Sequence, residues 1–460
     1  MRHFDFCVIG SGSGTSVVGS LPKSSSIALV DDNGHFGGTC LNSGCIPTKM
    51  FAYPADLAAN VRTAAHLGLH ASGIELDWGE VRERVFGRLD SLSENGLEEY
   101  LASSNVTVFR RTGVFTGPKQ LRVGDEEITA DVFVLAAGSR PRIPELHGAA
   151  NPVIASHLHT TDDIMRLPEL PKRLVIAGGG AVAAEMAHIF AAFGSAVTLV
   201  HRGERLLAHA DEEVSEQFAK ELAESVTLRL RQQITGFSAS KGKITVETLD
   251  EDGIDYGYEG DQVLLALGRI PNGDLLNVEA AGVELDAAGR VVVDEYQRTK
   301  APGVYALGDI SSPKQLKHFA NAQARVVSHN IEHPKRRIKL DSRCVPQAVF
   351  SRPQVAWVGL TEAEAATADM PYVSAVRPYR STAHGWAMGD DGHFVKLLAN
   401  PKTKKLIGAH IIGPDASNLL QPLTQIMSLE IDVRKAARGQ YWIHPALSEV
   451  VENALLDLDV

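Results

Sequence analysis

The run Phe4-Asp5-Phe6-Cys7-Val8-Ile9-Gly10-Ser11-Gly12-Ser13-Gly14-Thr15 reads as a strand, a glycine-rich turn and the start of a helix. A second strand-like stretch, Ile27–Val30, follows and ends on Asp31. Gly10 permits the tight turn, and Gly12 lets backbone approach a pyrophosphate. The free N–H groups of the helix N-terminus then face the phosphates. Asp31 stands where a carboxylate accepts from a ribose 2′-OH, with its neighbour Asp32 as a competing candidate. Thr15 replaces the third glycine of the fingerprint. A glycine turn alone is weak evidence, but a strand before it, a helix after it and an acid at the right distance make it strong.

The same pattern begins again further along. Arg173–Ala177 reads as a strand, Gly178-Gly179-Gly180 as a turn, Ala181–Phe193 as a helix with Ala183 in its first turn, and Ala196–Val200 as a strand. This second βαβ unit is an internal repeat of the first. Its strand ends on His201-Arg202, with no acid. Arg202, with Arg205, would attract a ribose 2′-phosphate, so the pattern predicts NADPH over NADH; the bland alternative is an ordinary solvated arginine edge. Strand-like runs follow at Lys243–Thr248, Gln262–Leu267 and Val304–Asp309. From about Arg337 the pattern changes to alternating strands closed by two helices. The fold class expected is α/β, with two Rossmann-like dinucleotide-binding domains and a C-terminal α+β domain.

Composition narrows the function classes. The chain has 460 residues, 44% of them hydrophobic, enough for several packed domains. A formal net charge of −11 argues against nonspecific binding to nucleic acid. No apolar run of about 18 residues marks a membrane span. The first strand begins too early to leave room for a signal or transit peptide, and four cysteines are too few for a disulfide scaffold, so a cytoplasmic protein is expected.

Two of those cysteines stand in Gly37-Gly38-Thr39-Cys40-Leu41-Asn42-Ser43-Gly44-Cys45-Ile46-Pro47-Thr48-Lys49. Cysteines at this spacing can close a small disulfide loop if the turn between them is tight, and Gly44 helps that turn. Pro47 suits the first turn of a helix that continues through Val61. Cys45 then lies near a helix N-terminus, where the dipole favours thiolate. Lys49 projects from the same helical face. A static disulfide or a pair of buried thiols is the plain alternative. Zinc would need two further ligands, and no metal site is expected. Cys7 and Cys344 read as small buried hydrophobes. Near the C-terminus, His444-Pro445-Ala446-Leu447-Ser448-Glu449 offers an imidazole that titrates in the useful range and a carboxylate to orient it.

The run from Gly37 to Lys49 resembles the active-site signature of class I pyridine nucleotide-disulfide oxidoreductases. The resemblance takes in both glycine fingerprints, Ala136-Ala137-Gly138, Ala306-Leu307-Gly308-Asp309 and His444-Pro445. It implies an FAD-binding domain from residues 1–147 and 265–332, an NADPH-binding domain at 148–264, and a dimerisation domain at 333–460. By this resemblance Cys40 attacks the substrate disulfide, and Cys45 lies against the flavin as a charge-transfer thiolate. Lys49 pairs with Glu185 beside the flavin, and Asp309 bonds the ribityl chain. Gly10, Gly12, Gly14, Thr15, Asp31, Gly38, Thr39, Ala137, Gly138 and Gly308 contact FAD. Gly178, Gly180, Ala183, His201, Arg202, Arg205 and Gly268 belong to the nucleotide contacts. His444 and Glu449 reach the other subunit's site, which implies an obligate homodimer.

Within the family, four runs are similar to mycothione reductases: Val85-Phe86-Gly87-Arg88, Val293–Thr299, Gly385-Trp386-Ala387-Met388 and Ala437–Leu447. They imply mycothiol disulfide as the small-molecule substrate, with Trp442 either a stacking surface for it or part of the dimer interface. The runner-up is dihydrolipoamide dehydrogenase, which usually ends the second nucleotide strand in an acid. A mercuric reductase is a poor match, because the chain ends Asp457-Leu458-Asp459-Val460 without vicinal cysteines. A catalytically silent flavoprotein scaffold is the reading outside the enzymes.

Overall fold

The computed structural model describes residues 1–71, 73–240 and 242–460. Apolar strands with small connecting turns build three large sheets and two small ones. The first is a parallel core in the order Val106–Phe109, Ile27–Val30, Arg2–Ile9, Glu126–Leu135, Val304–Ala306. Its strand Glu126–Leu135 also carries, on its N-terminal half, an antiparallel meander with Gln120–Val123 and Gly113–Gly117. The central strands read CVI and IALV and are buried, as expected where helices cover both faces.

The second sheet is parallel throughout, in the order Thr227–Arg229, Ala196–Val200, Arg173–Ala177, Gln262–Leu265, Leu158–His159. A three-stranded antiparallel sheet, Gln232–Ser240, Lys243–Asp250 and Asp255–Gly260, lies beside it. The chain passes between the two nucleotide folds along Ser139–Pro141 and returns along Arg269–Pro271, and these two stretches pair antiparallel. Leu265, where the sequence reading resumed the first domain, still pairs with Ala177 in the second sheet. The return falls a few residues later, because the strand runs on until its partner ends.

The third sheet is antiparallel, in the order Gln347–Val349, Val355–Gly359, Lys405–Ile412, Phe394–Asn400, Val373–Pro378. Helices Ala416–Ser428 and Ser448–Asp457 bury their apolar faces on it. A short helix, Val433–Arg438, stands between them, so three helices close the chain where two were expected.

Two contacts between these units matter for the site. Helix Cys45–Thr63 packs against helix Ala181–Phe193 through an aromatic cluster, with Trp78 centred 5.3 Å from Phe51 and 6.0 Å from Phe190. Helix Glu212–Leu222 of the second fold is held to the third sheet at both ends. At one end the buried Lys396 ammonium donates to Asp211 (2.8 Å), Glu213 (3.0 Å) and Glu362 (2.6 Å). At the other, His393 lies between Asp390 and Glu221, its Nε2 3.0 Å from the Glu221 Oε2. A buried ammonium needs such partners to offset its desolvation.

Candidate active site

Cys40 lies in helix Gly38–Asn42 and Cys45 opens helix Cys45–Thr63. Asn42, buried between them, donates through Nδ2 to the carbonyls of Phe36 and Gly38 at 3.0 Å each, which ties the turn to the segment that leads into it. Gly44 lies so close to Thr39 that a Cβ on it would be 3.0 Å from the Thr39 carbonyl oxygen. That tight turn sets Cys40 and Cys45 on consecutive helices, where each shifts the other's titration. Both are free thiols.

Each thiol shifts the other. The neighbouring Cys45 and the Lys317 ammonium draw Cys40 down to about 7. The shared proton pushes Cys45 upward, and the Glu185 carboxylate adds to that. The sequence reading placed the thiolate on Cys45 from its helix position. Two thiols this closely coupled lose their first proton as a unit, so that charge belongs to the pair.

Lys49 does project from the Cys45 helix toward Glu185, but no direct ion pair joins them. The Lys49 ammonium rests 3.8 Å from the centre of the Phe350 ring, and Glu185 Oε1 accepts from the Phe350 N–H at 2.8 Å. Phe350 thus stands between the two charges, and burial pushes Glu185 up to about 7 and Lys49 downward. The cation–π contact takes the place of the expected salt bridge.

The first fingerprint forms a cradle made of backbone. Gly10 has φ +110°, and a Cβ on it would be 2.2 Å from the Ala136 carbonyl oxygen. Gly38 approaches Gly12 so closely that a Cβ on Gly38 would be 2.6 Å from the Gly12 Cα. Gly14 meets Val8, so the close helix–strand approach falls at Gly14; Thr15 turns its hydroxyl onto the Gly12 carbonyl at 2.9 Å. Asp31 is buried and accepts from the N–H of Ser11 (2.6 Å) and of Asn33 (2.9 Å), whereas Asp32 is exposed and accepts from Thr112. Beside the cradle opens a cavity of about 290 Å³ whose wall includes Ser11, Gly12, Thr15, Cys40 and Lys317. Thr39 is exposed next to Cys40. Asp309, on the turn after Val304–Ala306, accepts from the Ser139 hydroxyl at 2.7 Å, and Gly308 donates its N–H to Gln323. Ala137 and Gly138 lie on the same edge, bonded to Asn272. A free backbone cradle with a buried acid at the next strand end fits a dinucleotide.

The second fingerprint repeats the cradle. A Cβ on Gly178 would be 2.3 Å from the Ala266 carbonyl oxygen, Gly180 precedes helix Ala181–Phe193 and has open space around it, and Ala183 is buried. The helix has no side-chain cap, so its first N–H groups are free for a phosphate. The His201 ring fills the space against Gly179 and Gly203, and burial with Arg202 beside it lowers its pKa. Arg202 is exposed. Arg205 is not free as the sequence reading expected: its Nη1 is 2.8 Å from the Glu212 Oε1. Gly268 lies at the return crossing, where its carbonyl accepts from the Arg142 N–H at 2.9 Å.

His444 and Glu449 do pair, with Nδ1 2.8 Å from Oε1, and Glu449 is held below the usual carboxylate range by that bond. Among the described residues no hydrogen bond joins them to the Cys40 loop of the same chain. His444 is exposed, as are Tyr441 and Ile443 beside it. Trp442 points the other way, onto the core of its own domain, with its indole N–H on the Ala437 carbonyl at 2.9 Å. Neither expectation for Trp442 describes that packing, which follows from alternation along an extended loop. The sequence reading missed Lys317, Phe350, and the part played by Asn42. Only Asn42 carried a signal, as the polar residue inside the cysteine pair.

Two glycine-turn cradles, with a thiol pair beside the first, fit an oxidoreductase that moves electrons between a nucleotide cofactor and sulfur. The chain belongs to the pyridine nucleotide-disulphide oxidoreductases: that family matches residues 4–325, and its dimerisation domain matches 345–455. The chain is 45% identical over 471 residues to the mycothione reductase of Mycobacterium tuberculosis, covering all of both chains. It is 32% identical to the glutathione reductase of Burkholderia cepacia, covering 97% of each. Among solved structures it matches an Escherichia coli protein described as the HOCl-induced flavoprotein disulfide reductase RclA, as a C43S mutant, with TM-score 0.87, 25% identity and full coverage of both chains. Among the described residues no helix is long and apolar enough to cross a membrane.

Proposed function

We propose that the chain is an FAD-containing, NADPH-dependent reductase of mycothiol disulfide that works as a cytoplasmic homodimer. The observation that carries the reading is Cys40, coupled to Cys45 of the next helix, on the wall of the first glycine cradle. The full-length likeness to a mycothione reductase supports the substrate, and the exposed Arg202 supports NADPH.

The first cradle, with Asp31, Lys49 and Asp309, would hold FAD; the second, with His201 and Arg202, would hold NADPH. Bound FAD supplies two-electron transfer between the nicotinamide and the thiol pair. Cys40 as thiolate attacks one sulfur of the substrate, forming a mixed disulfide and releasing one thiolate. His444, reaching across the dimer and oriented by Glu449, gives that thiolate a proton. Cys45 then gives up its proton and attacks the Cys40 sulfur, which closes the internal disulfide and releases the second thiol.

The test is turnover of purified enzyme with NADPH or NADH against mycothiol disulfide, glutathione disulfide and lipoamide. NADPH with mycothiol disulfide should exceed every other pairing. Preference for NADH, or faster reduction of lipoamide, overturns the assignment. Mixing Cys40→Ser and His444→Ala proteins should restore activity by subunit exchange, and no recovery rejects a shared site.

A further inference from the structure

Asp211 occupies the cap position of helix Glu212–Leu222, yet no side chain caps that helix. An aspartate at this position ordinarily satisfies free N–H groups of its own helix. Here the buried carboxylate turns toward the third sheet instead. Its Oδ1 accepts from the Lys396 ammonium at 2.8 Å, and its Oδ2 accepts from the Glu362 N–H at 3.3 Å. Lys396 lies in strand Phe394–Asn400 and is only 1% exposed, with Glu213 and Glu362 as its other acceptors. A local bond has been given up for a tertiary one.

The same helix start is tied to the second glycine turn. Ser215, in the opening turn of the helix, donates its hydroxyl to the Leu206 carbonyl. The next residue, Leu207, donates its N–H to the Gly179 carbonyl at 2.8 Å. Leu207 is buried and holds φ +50°, a left-handed conformation rare for a side chain of this size. Such backbone persists where its surroundings over-determine it. A short path of bonds thus runs from the Lys396 ammonium through Asp211 and Ser215 to Leu207 and Gly179. Elsewhere the second fold meets helix Cys45–Thr63 through an apolar cluster, and apolar contact is non-directional. One ammonium shared by carboxylates of both units fixes how they meet.

We propose that Lys396 is a positioning residue for nicotinamide oxidation: by fixing the start of helix Glu212–Leu222 to the third sheet, it holds the second glycine turn where a nucleotide bound there reaches the flavin. In that step a nicotinamide C–H bond breaks and its hydride, with both electrons, passes to the flavin. The proposal rests on the two-cofactor reading above. It gives the third sheet a part in the reductive half of the cycle, remote from His444.

The first readout needs no turnover. In the flavin-loaded, nucleotide-free protein, amide hydrogen exchange of peptides spanning 206–222 should be about tenfold faster in Lys396→Met, with strand Arg173–Ala177 unchanged. The second is rapid mixing. The limiting rate of flavin reduction by NADPH should fall about tenfold, with the NADPH dissociation constant within about twofold of the parent's. Reoxidation of the dithionite-reduced variant by a disulfide should keep the parent's rate, which general damage to the fold would not allow. Lys396→Arg should restore most of both losses. Unchanged exchange, equal slowing of reoxidation, or slow reduction explained by weaker NADPH binding overturns the proposal. Should Lys396→Met fail to fold, Glu362→Gln takes its place, since the ammonium keeps Asp211 and Glu213. Reduction should then slow about threefold, and no change rejects the idea. If the parent's flavin is reduced by neither NADPH nor NADH, the two-cofactor reading itself fails, whatever Lys396 does.

Discussion

At the first fingerprint the strand ends on Asp31, a buried carboxylate occupied by two backbone N–H groups. At the second it ends on His201, whose ring packs against Gly179, with Arg202 outside in solvent. The backbone of the two turns is nearly the same: Gly10 and Gly178 both take positive φ against the carbonyl of a neighbouring strand end. The difference teaches that the cradle is set by glycine stereochemistry, while ribose discrimination rests on one or two side chains beyond it. The second fold is also pinned to the third sheet by charge, through the buried Lys396 and through His393.

The largest effects should separate the cradles. Gly10→Val should yield protein without flavin, and Gly178→Val protein that is yellow but not reduced by NADPH. Absorbance spectra of the two purified variants check this, and a colourless Gly178→Val protein would break the assignment of one nucleotide to each turn. Next, Arg202→Glu should cost about ten- to a hundredfold in kcat/KM for NADPH, with NADH turnover held or improved. Steady-state kinetics with both nucleotides read it out.

His393 sharpens the contrast in docking. Its two carboxylate partners raise it from 6.5 to about 9 in the folded chain. The stabilisation is therefore fully present below the unfolded value and is lost as pH rises through 9. It amounts to roughly 3 kcal/mol at most. Thermal unfolding of His393→Gln should be flatter than that of the parent from neutral to alkaline pH, and parallel curves would reject the link. The smallest effect is expected at Arg205. Because it is already paired with Glu212, Arg205→Gln should change NADPH KM by less than about threefold.

The motif-bearing stretches were legible because each is local. A strand, a turn and a helix start lie within a dozen residues, and the cysteine spacing with Gly44 implies a tight loop before any packing is known. His444 and Glu449 are likewise close in the chain, and their bond followed from one turn. What failed was long range. The Lys49–Glu185 pairing went wrong because Phe350, which comes from the third sheet, enters between them. Arg205 was misread because Glu212 folds back onto it across a loop. Lys317, which lines the same cavity as Cys40, comes from a helix far from it in sequence.

By itself the sequence determined two nucleotide folds, a cysteine pair able to bond, and a histidine with its carboxylate, since hydrophobic period, glycine turns and short spacings act over one or two elements. Only the tertiary structure decided which lysine shares the cavity with Cys40, what stands between Lys49 and Glu185, and which arginine is free. Those depend on where distant strands and helices bring full charges together. Coulomb interactions across a few ångströms are set by packing, and no local pattern encodes that distance.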